Sequence, residues 1–84
     1  MGIEDDVQAA AETGSVVIGT EETIKNIDGL DRVVVASNAP ADVVEAVAAA
    51  ADGTETAVVQ AAVDNHELGA LCMEPFAASV VGIE

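Results

Sequence analysis

Four short apolar runs constrain the fold of this chain more than any other feature. They span residues 16–18, 33–36, 56–59 and 76–83, and they are continuous rather than alternating in polarity. Strands of this kind are covered on both faces by other elements. A stretch with the apolar spacing of a helix precedes each run, so the predicted order is α-β-α-β-α-β-α-β. Helices between strands imply crossover connections and mainly parallel neighbours.

The fold class that this order predicts is α/β. We expect a single three-layer α/β/α sandwich around a four-stranded, mainly parallel or mixed sheet, formed by one domain of residues 1–84. Within it, Thr20 is expected to cap the second helix, which ends around Gly29, and Pro40 is placed to start the third. Asp64 and Glu67 have the spacing of a cap for the fourth helix.

The charge balance points to an environment of high salt. The chain carries 16 acidic residues against 2 basic ones, and the acids are spread along its whole length between apolar positions. This distribution is typical of a folded acidic protein rather than a disordered acidic tail. At about 1 M salt the Debye length is near 3 Å, so self-repulsion is screened. We therefore expect a halophilic protein, the alternative being an acidic protein of ordinary salt.

The residues with the chemistry of catalysts or metal ligands are few and scattered. Cys72 is the only cysteine, and its position on the fourth helix predicts a core residue. His66 is expected to be an exposed residue at the start of that helix. The phosphate-binding, dinucleotide-binding and nucleophile-elbow motifs are absent, so neither enzymatic activity nor a cofactor or metal is predicted. Residues 1–6 lack the pattern of a signal peptide, and no apolar run reaches membrane-span length.

Polar residues follow three of the apolar runs. Gly19 opens a helix that carries Glu21 and Glu22, Asn38 follows the second run, and residues 64–69 begin another helix after the third. Ligands of α/β sheets bind beyond the carboxyl ends of the strands, so these turns would share one edge if the strands run parallel. Free amides at a helix start attract phosphate. Both cations of the chain, Lys25 and Arg32, lie close to the glycine turn in sequence, which favours nucleic acid as the ligand.

These residues also carry a resemblance to a known family. The blocks are, in order, Val16-Val17-Ile18-Gly19-Thr20 with Glu22-Thr23-Ile24-Lys25, Val33-Val34-Val35-Ala36-Ser37-Asn38-Ala39-Pro40, Glu67-Leu68-Gly69-Ala70-Leu71, and Pro75-Phe76 with the closing apolar strand. Their order and spacing resemble the archaeal and eukaryotic ribosomal protein family L-thirty-e, whose wider relatives include the L-seven-Ae kink-turn RNA binders. The resemblance covers residues 7–83 and implies an α/β/α sandwich, in agreement with the predicted order.

In that family the glycine-led helix start contacts kinked RNA, and the resemblance implies that Gly19 and Thr20 let backbone amides meet the RNA backbone. Glu22 would accept hydrogen bonds from a guanine edge in a tandem sheared G·A platform, and Lys25 would contact phosphate. Glu67 and Leu68 would belong to the loop that packs under a flipped-out nucleotide. The complete set of predicted RNA-binding residues is Gly19, Thr20, Glu21, Glu22, Lys25, Arg32, Asn38, Glu67 and Leu68. The implied partners are ribosomal or kink-turn RNA and neighbouring ribosomal proteins.

Two departures from the family pattern keep a second function open. The family usually has asparagine where this chain has Glu21, and a carboxylate accepts hydrogen bonds but cannot donate them. With at most two cations, the chain also lacks the basic residues that usually surround such a site and neutralise phosphate. The first expectation is a cytoplasmic, ribosome-associated protein of the large subunit, monomeric outside the ribonucleoprotein. The alternative is a paralogue that kept the fold, lost RNA binding and serves as a protein-interaction module.

Overall fold

A four-stranded sheet with helices on both faces organises the chain. The structure is a computed structural model that describes residues 2–84, so the predicted domain of residues 1–84 begins with one residue, Met1, outside the described range. In chain order the elements are α1 (Ile3–Glu12), β1 (Val16–Ile18), α2 (Thr20–Lys25), a 3-10 helix (Ile27–Gly29), β2 (Arg32–Val35), α3 (Ala41–Ala51), β3 (Ala57–Gln60), α4 (Asn65–Leu71) and β4 (Val80–Ile83). The predicted alternation of helices and strands is confirmed.

The sheet is mixed, with the strand order β1-β4-β2-β3. β2 and β3 are parallel, whereas β4 is antiparallel to both β1 and β2. The mixed sheet allowed by the sequence is confirmed, but the expectation of mainly parallel neighbours is wrong because the last strand lies between the first two. All four residues of β4 are buried, and a central position covers such a strand best. β1, β2 and β3 still run in the same direction.

Two apolar layers, one on each face of the sheet, confirm the α/β/α sandwich. Between the sheet and the pair α1 and α4 lie the buried residues Val7, Val34, Ala36, Ala61, Leu68, Cys72, Ala78, Val81 and Ile83. Between the sheet and the pair α2 and α3 lie Ile27, Leu30, Val33, Val35, Val47, Ala51 and Val80. The predicted core position of Cys72 is therefore confirmed.

Three element boundaries differ from the prediction. The helix expected to end around Gly29 stops at Lys25 and is followed by the 3-10 helix, which the Thr56 hydroxyl holds through the carbonyl oxygens of Ile27 and Leu30, at 2.8 and 2.9 Å. β3 begins one residue later than expected. The last strand begins at Val80 rather than Phe76, because its partner β1 is only three residues long and the chain turns at Gly19.

Local capping follows the sequence at α3 and α4 but not at α2, where Thr20 is the first helical residue and Gly19 precedes it as the cap, without a side-chain hydrogen bond. The Asp64 side chain accepts a hydrogen bond from the Glu67 backbone N–H at 3.0 Å, which confirms the predicted cap of α4. Pro40 precedes the first residue of α3, as expected. None of the helices between residues 2 and 84 has the length and apolar character that crossing a membrane requires.

Candidate nucleic-acid interface

The three turns predicted to meet do meet at one edge of the sheet. Because β1, β2 and β3 run in the same direction, their carboxyl ends share this edge with the amino end of β4. We call this edge the rim and define it as residues 19–22, 36–38, 61–67 and 76–79. The Gly19 N–H donates to the Val80 carbonyl at 2.9 Å, and the Ala36 N–H donates to the Ser79 carbonyl at 2.8 Å. The backbone therefore fixes the turns relative to one another.

A reciprocal pair of asparagines joins two of the turns. The Asn38 Oδ1 accepts the Asn65 backbone N–H at 2.9 Å, and the Asn38 Nδ2 donates to the Asn65 Oδ1 at 2.9 Å. The Asn65 carbonyl in turn accepts the Ala78 N–H at 2.9 Å. Asn38 lies at the rim as expected, but its carbonyl oxygen and one amide hydrogen are engaged within the protein. Its main role in the rim is to hold the start of α4 against the end of β2.

Gly19 has a backbone conformation that favours glycine. Its φ of 104° and ψ of 152° lie in a region that side-chain-bearing residues rarely adopt, although a Cβ there would meet no other atom within 4 Å. The Gly19 N–H is engaged in the sheet, which corrects the expectation that this amide faces RNA. Within residues 2–84, the first-turn amides of Thr20, Glu21 and Glu22 have no acceptor. Those amides are the free donors of the turn.

Exposed charged side chains line α2 beyond the glycine. Glu21, Glu22 and Lys25 are all exposed, and the ion pairs found within residues 2–84 involve none of them. The two carboxylates offer only acceptors, which suits N–H groups of bases rather than phosphate. Lys25 lies one and a half turns further along α2, about 8 Å from the helix start at 1.5 Å per residue. It is the cation available to a ligand at this helix.

Arg32 lies away from the rim. It is the first residue of β2, and the rim follows the last one, so strand β2 separates the two. Its Nη1 lies 2.6 Å from the Asp6 carboxylate, and its Nε lies 3.5 Å from that of Asp31. The expectation that both cations sit beside the glycine turn is therefore wrong, because α2 and the 3-10 helix lead the chain from the rim to the opposite end of the sheet before β2 begins at Arg32. The geometry does not join Arg32 to the other predicted residues.

The two predicted residues of α4 differ in accessibility. Glu67 is exposed at the rim, whereas Leu68 is 0% exposed and belongs to the core under α1 and α4. The side chain of Leu68 cannot contact RNA, which corrects its assignment to the nucleotide-facing loop. Helical periodicity explains the error, since Leu68 lies on the inner face of α4 beside Cys72.

Sequence reasoning missed two exposed apolar residues, Phe76 within the rim and Met73 next to it. Met73 and Phe76 are 60% and 55% exposed, and they lie in the connection from α4 to β4. The sequence pattern places Phe76, which is the only aromatic residue of the chain, in the last strand. The pairing of Pro75 with a lone aromatic was the available signal. The φ of Met73 is 61°, in the left-handed region where the ends of helices usually carry glycine.

The remaining chemically distinctive residues do not form a site. Burial raises the pKa of the Cys72 thiol, and the nearby Glu74 carboxylate adds to this rise, so the thiol stays neutral and unreactive. His66 is exposed in the first turn of α4, as the sequence predicted. Besides the exposed Ser37 hydroxyl and the His66 imidazole, the polar groups that face solvent at the rim are amides and carboxylates.

The fold and the rim define an α/β/α domain of a type seen in other proteins. The Giardia lamblia 15.5kD RNA binding protein shares the fold over 96% of this chain and 69% of its own, with a TM-score of 0.85 and 20% identity. A Bacillus halodurans protein of unknown function shares it too, at a TM-score of 0.82 and 16% identity over 92% of this chain and 78% of the other. These likenesses establish the fold.

The sequence establishes the family. The chain belongs to the Ribosomal protein L7Ae/L30e/S12e/Gadd45 family, whose model matches residues 1–84. It is 37% identical to the large ribosomal subunit protein eL30 of Methanococcus vannielii over 83 residues, which cover 96% of this chain and 79% of the relative. It is 32% identical to the eL30 protein of Sulfurisphaera tokodaii over 84 residues, covering 98% of this chain and 79% of the relative.

Proposed function

We propose that this chain is an RNA-binding protein of the large ribosomal subunit that works in the cytoplasm as part of the ribosome. Family membership and the similarity to archaeal eL30 proteins support this function. The observation that carries it is the rim, where three turns present free amides and carboxylates beside an exposed aromatic ring. Its partners are then structured RNA and neighbouring ribosomal proteins, and the proposal assigns no catalysis to the chain.

We further propose that the rim recognises a kinked RNA by shape and hydrogen bonds. Proteins read RNA through splayed bases and sugar contacts more than through the deep groove of a helix. The exposed carboxylate of Glu22 is the acceptor for a guanine edge, and the free amides of Thr20 and Glu21 are donors to the RNA backbone. Lys25 is the one cation of α2, so phosphate neutralisation supplies little of the affinity.

Met73 and Phe76, rather than Leu68, are the apolar side chains available to pack under a flipped-out nucleotide. Unstacked bases pack on aromatic and apolar side chains, and base stacking on an aromatic ring is worth roughly 1–3 kcal/mol. Both side chains are more than half exposed and both lie on the segment that leads into the rim. We propose that they form the surface under an extruded nucleotide, with Glu67 beside them.

The test is a fluorescence titration of a kink-turn RNA against a plain duplex of equal length in about 2–3 M potassium chloride, where charges are almost fully screened. We expect a clear preference for the kinked RNA. Glu22→Ala should weaken its binding by about 1–3 kcal/mol, the range for a specific base contact. Glu12→Ala removes the same charge from the exposed end of α1 and should leave affinity unchanged. Equal binding of both RNAs would contradict the proposal.

The departure at Glu21 favours a second candidate, a protein-interaction module that no longer binds RNA. A carboxylate at the tip of the helix repels a phosphate chain, and the rim brings no cation beyond Lys25 to offset it. Under the first function, Glu21→Asn should tighten kink-turn binding because the amide adds a donor. Under the second, neither form binds RNA, and a pull-down in high salt still recovers a stable protein partner after ribonuclease treatment.

A further inference from the structure

The outer edge of β3 is open to another strand. β3 is the last strand of the sheet order, so only its inner edge is paired, through register with β2. The Ala57 N–H donates to the Asp31 carbonyl at 3.4 Å, and the Ala61 N–H donates to the Val35 carbonyl at 2.8 Å. Because strand residues alternate, the N–H and C=O groups of Val58 and Gln60 point away from the sheet. An extended chain alongside would meet two donors and two acceptors.

The backbone amides on either side of this gap are already satisfied. The Thr56 N–H donates to the Thr54 Oγ1 at 3.2 Å, and the Ala62 N–H donates to the Glu4 carboxylate at 3.2 Å. Side chains of the protein thus cap the edge at both ends and leave its centre unpaired among residues 2–84. The open segment is short and defined, residues 57–60 with their two outward amides.

The composition of β3 lacks the usual protection of an edge strand. Exposed edges generally carry lysine, proline or a bulge that discourages pairing. The four residues of β3 include none of these, and Val58, which pairs in register with Val33 beneath α3, is still 39% exposed. β1, the other edge, is one residue shorter and lies between two helices that pack on it. The two edges of the sheet are therefore not equivalent.

The charges around the edge indicate which kind of strand can bind there. Exposed Glu55 precedes the strand and exposed Asp64 follows it, and Glu4 caps its far end. The nearest cation in register is Arg32 on β2, which Asp6 and Asp31 already hold. A second copy of the chain would add 14 negative charges to this surface, whereas a lysine- or arginine-rich strand would complement it.

We propose that the open edge of β3 receives an extended basic segment of another protein as a fifth strand. Main-chain hydrogen bonds to Val58 and Gln60 supply the pairing, as in other cases of strand addition. Alternate lysine or arginine side chains of that segment lie against the acidic flanks at Glu55 and Asp64. The pairing groups of Val58 and Gln60 lie outside the rim, and Asp64 is the one flank that the two surfaces share, so the test contains no RNA.

The experiment uses the whole chain and two synthetic peptides of alternating lysine and valine. One peptide is unmodified, and the other has the same charge but is N-methylated at every backbone amide, so that neither of its edges can donate hydrogen bonds to β3. NMR of the labelled protein follows the amide signals of Val58 and Gln60 during titration. We expect the unmodified peptide to shift and protect these two amides, and the N-methylated peptide to bind about tenfold more weakly, since two or more hydrogen bonds are lost.

Matched variants at Gln60 distinguish the contribution of its backbone N–H to peptide binding from that of its side chain. Gln60→Pro removes an outward N–H that makes no bond within the sheet and puts the proline ring in the path of the added strand; edge strands accept this substitution, and it should reduce the difference between the peptides. Gln60→Ala keeps the N–H and should preserve it. Equal binding of both peptides, shifts confined to other surfaces, or concentration-dependent dimers of the chain alone would each overturn the proposal. If Gln60→Pro unfolds, the amide signals of the unsubstituted protein still distinguish the two peptides.

Discussion

At the scale of single residues, the positions that follow the helices show where a strained backbone conformation lowers the stability of the fold. α1 and α3 are each followed by a glycine with positive φ, Gly14 at 74° and Gly53 at 81°. α4 is followed instead by Met73 at 61°, with the Met73 N–H donating to the Ala70 carbonyl at 2.9 Å and the Glu74 N–H donating to the Gly69 carbonyl at 3.1 Å. A side chain in this conformation costs about 1–2 kcal/mol. We propose that the methionine is kept in this exposed position for the contact with an extruded nucleotide described above.

Met73→Gly should therefore move stability and RNA affinity in opposite directions. We expect the unfolding free energy to rise by about 0.5–1 kcal/mol, because relief of the strained φ outweighs the extra freedom that glycine gives the unfolded chain. Kink-turn affinity should fall by about 1 kcal/mol as apolar contact with the extruded base is lost. Urea unfolding and the RNA titration measure the two effects.

The matched control is the reverse change at the end of α3. Gly53→Met puts the same side chain at the same helical position, away from the connection that carries Phe76. It should lower the unfolding free energy and leave RNA affinity unchanged. If Met73→Gly instead weakened the fold, or left RNA affinity intact, the external contact assigned to Met73 would be wrong.

At the scale of elements, α4 and the connection that follows it are fitted together through Gly69. A Cβ on Gly69 would collide with the Phe76 carbonyl oxygen and lie 3.3 Å from the Ala77 Cα. These are backbone atoms, so they cannot move aside as a flexible side chain would. The absence of a side chain at Gly69 thus sets the position from which Phe76 projects.

Gly69→Ala should consequently destabilise the protein although alanine is the better helix former. We expect a loss of about 1–3 kcal/mol in urea unfolding, the usual cost of forcing an extra carbon into a packed site. Gly29→Ala is the control, since a Cβ there meets no atom within 4 Å and its φ is not positive. A Gly69→Ala protein as stable as the unsubstituted chain would show that α4 and the Phe76 connection separate easily.

The elements also show how much of the structure can be predicted from the sequence. Continuous apolar runs, Pro40 and the Asp64 cap sufficed to predict the four α-helices and four strands found within residues 2–84, though not the separate 3-10 helix, because these signals are local. The place of β4 between β1 and β2 depends on which strands bury each other and has no local signal. The order of helices and strands was enough to bring the three turns of the rim together. Packing between elements has no local signal, so the sequence misplaced Arg32, assigned buried Leu68 to RNA and overlooked Met73.

At the scale of the whole molecule, the dominant property is repulsion among the many negative charges. Of 16 acidic residues, two carboxylates pair with a cation within residues 2–84, both with Arg32. The rest repel one another across a domain with a radius of gyration of 11.2 Å, which is comparable to the Debye length of about 10 Å at 0.1 M salt. Repulsion at low salt therefore acts across the entire fold, and we propose on this basis that the protein is adapted to concentrated salt.

Raising potassium chloride from about 0.1 to 2 M should accordingly raise the midpoint of thermal unfolding, because the Debye length falls to about 3 Å or less. The control is a triple variant of exposed acids away from the rim, Glu12→Gln, Asp28→Asn and Asp52→Asn, which removes three negative charges. It should be more stable at low salt and gain less from added salt. A midpoint that falls with salt, or an equal gain in both proteins, would contradict screening as the cause.

The same charge balance makes RNA binding unusual in its salt dependence. For single-stranded RNA regions, log K falls with log salt with a slope of about −0.7 for each phosphate neutralised, so a protein with many cations loses affinity steeply. Lys25 is the one cation of this interface within the described residues, since Arg32 is held at the other end of β2. Kink-turn affinity should thus fall along a slope no steeper than about −1 while the fold itself becomes more stable. Titrations at several potassium chloride concentrations measure this slope, and a value near −3 would mean that phosphate contacts other than Lys25 carry the binding.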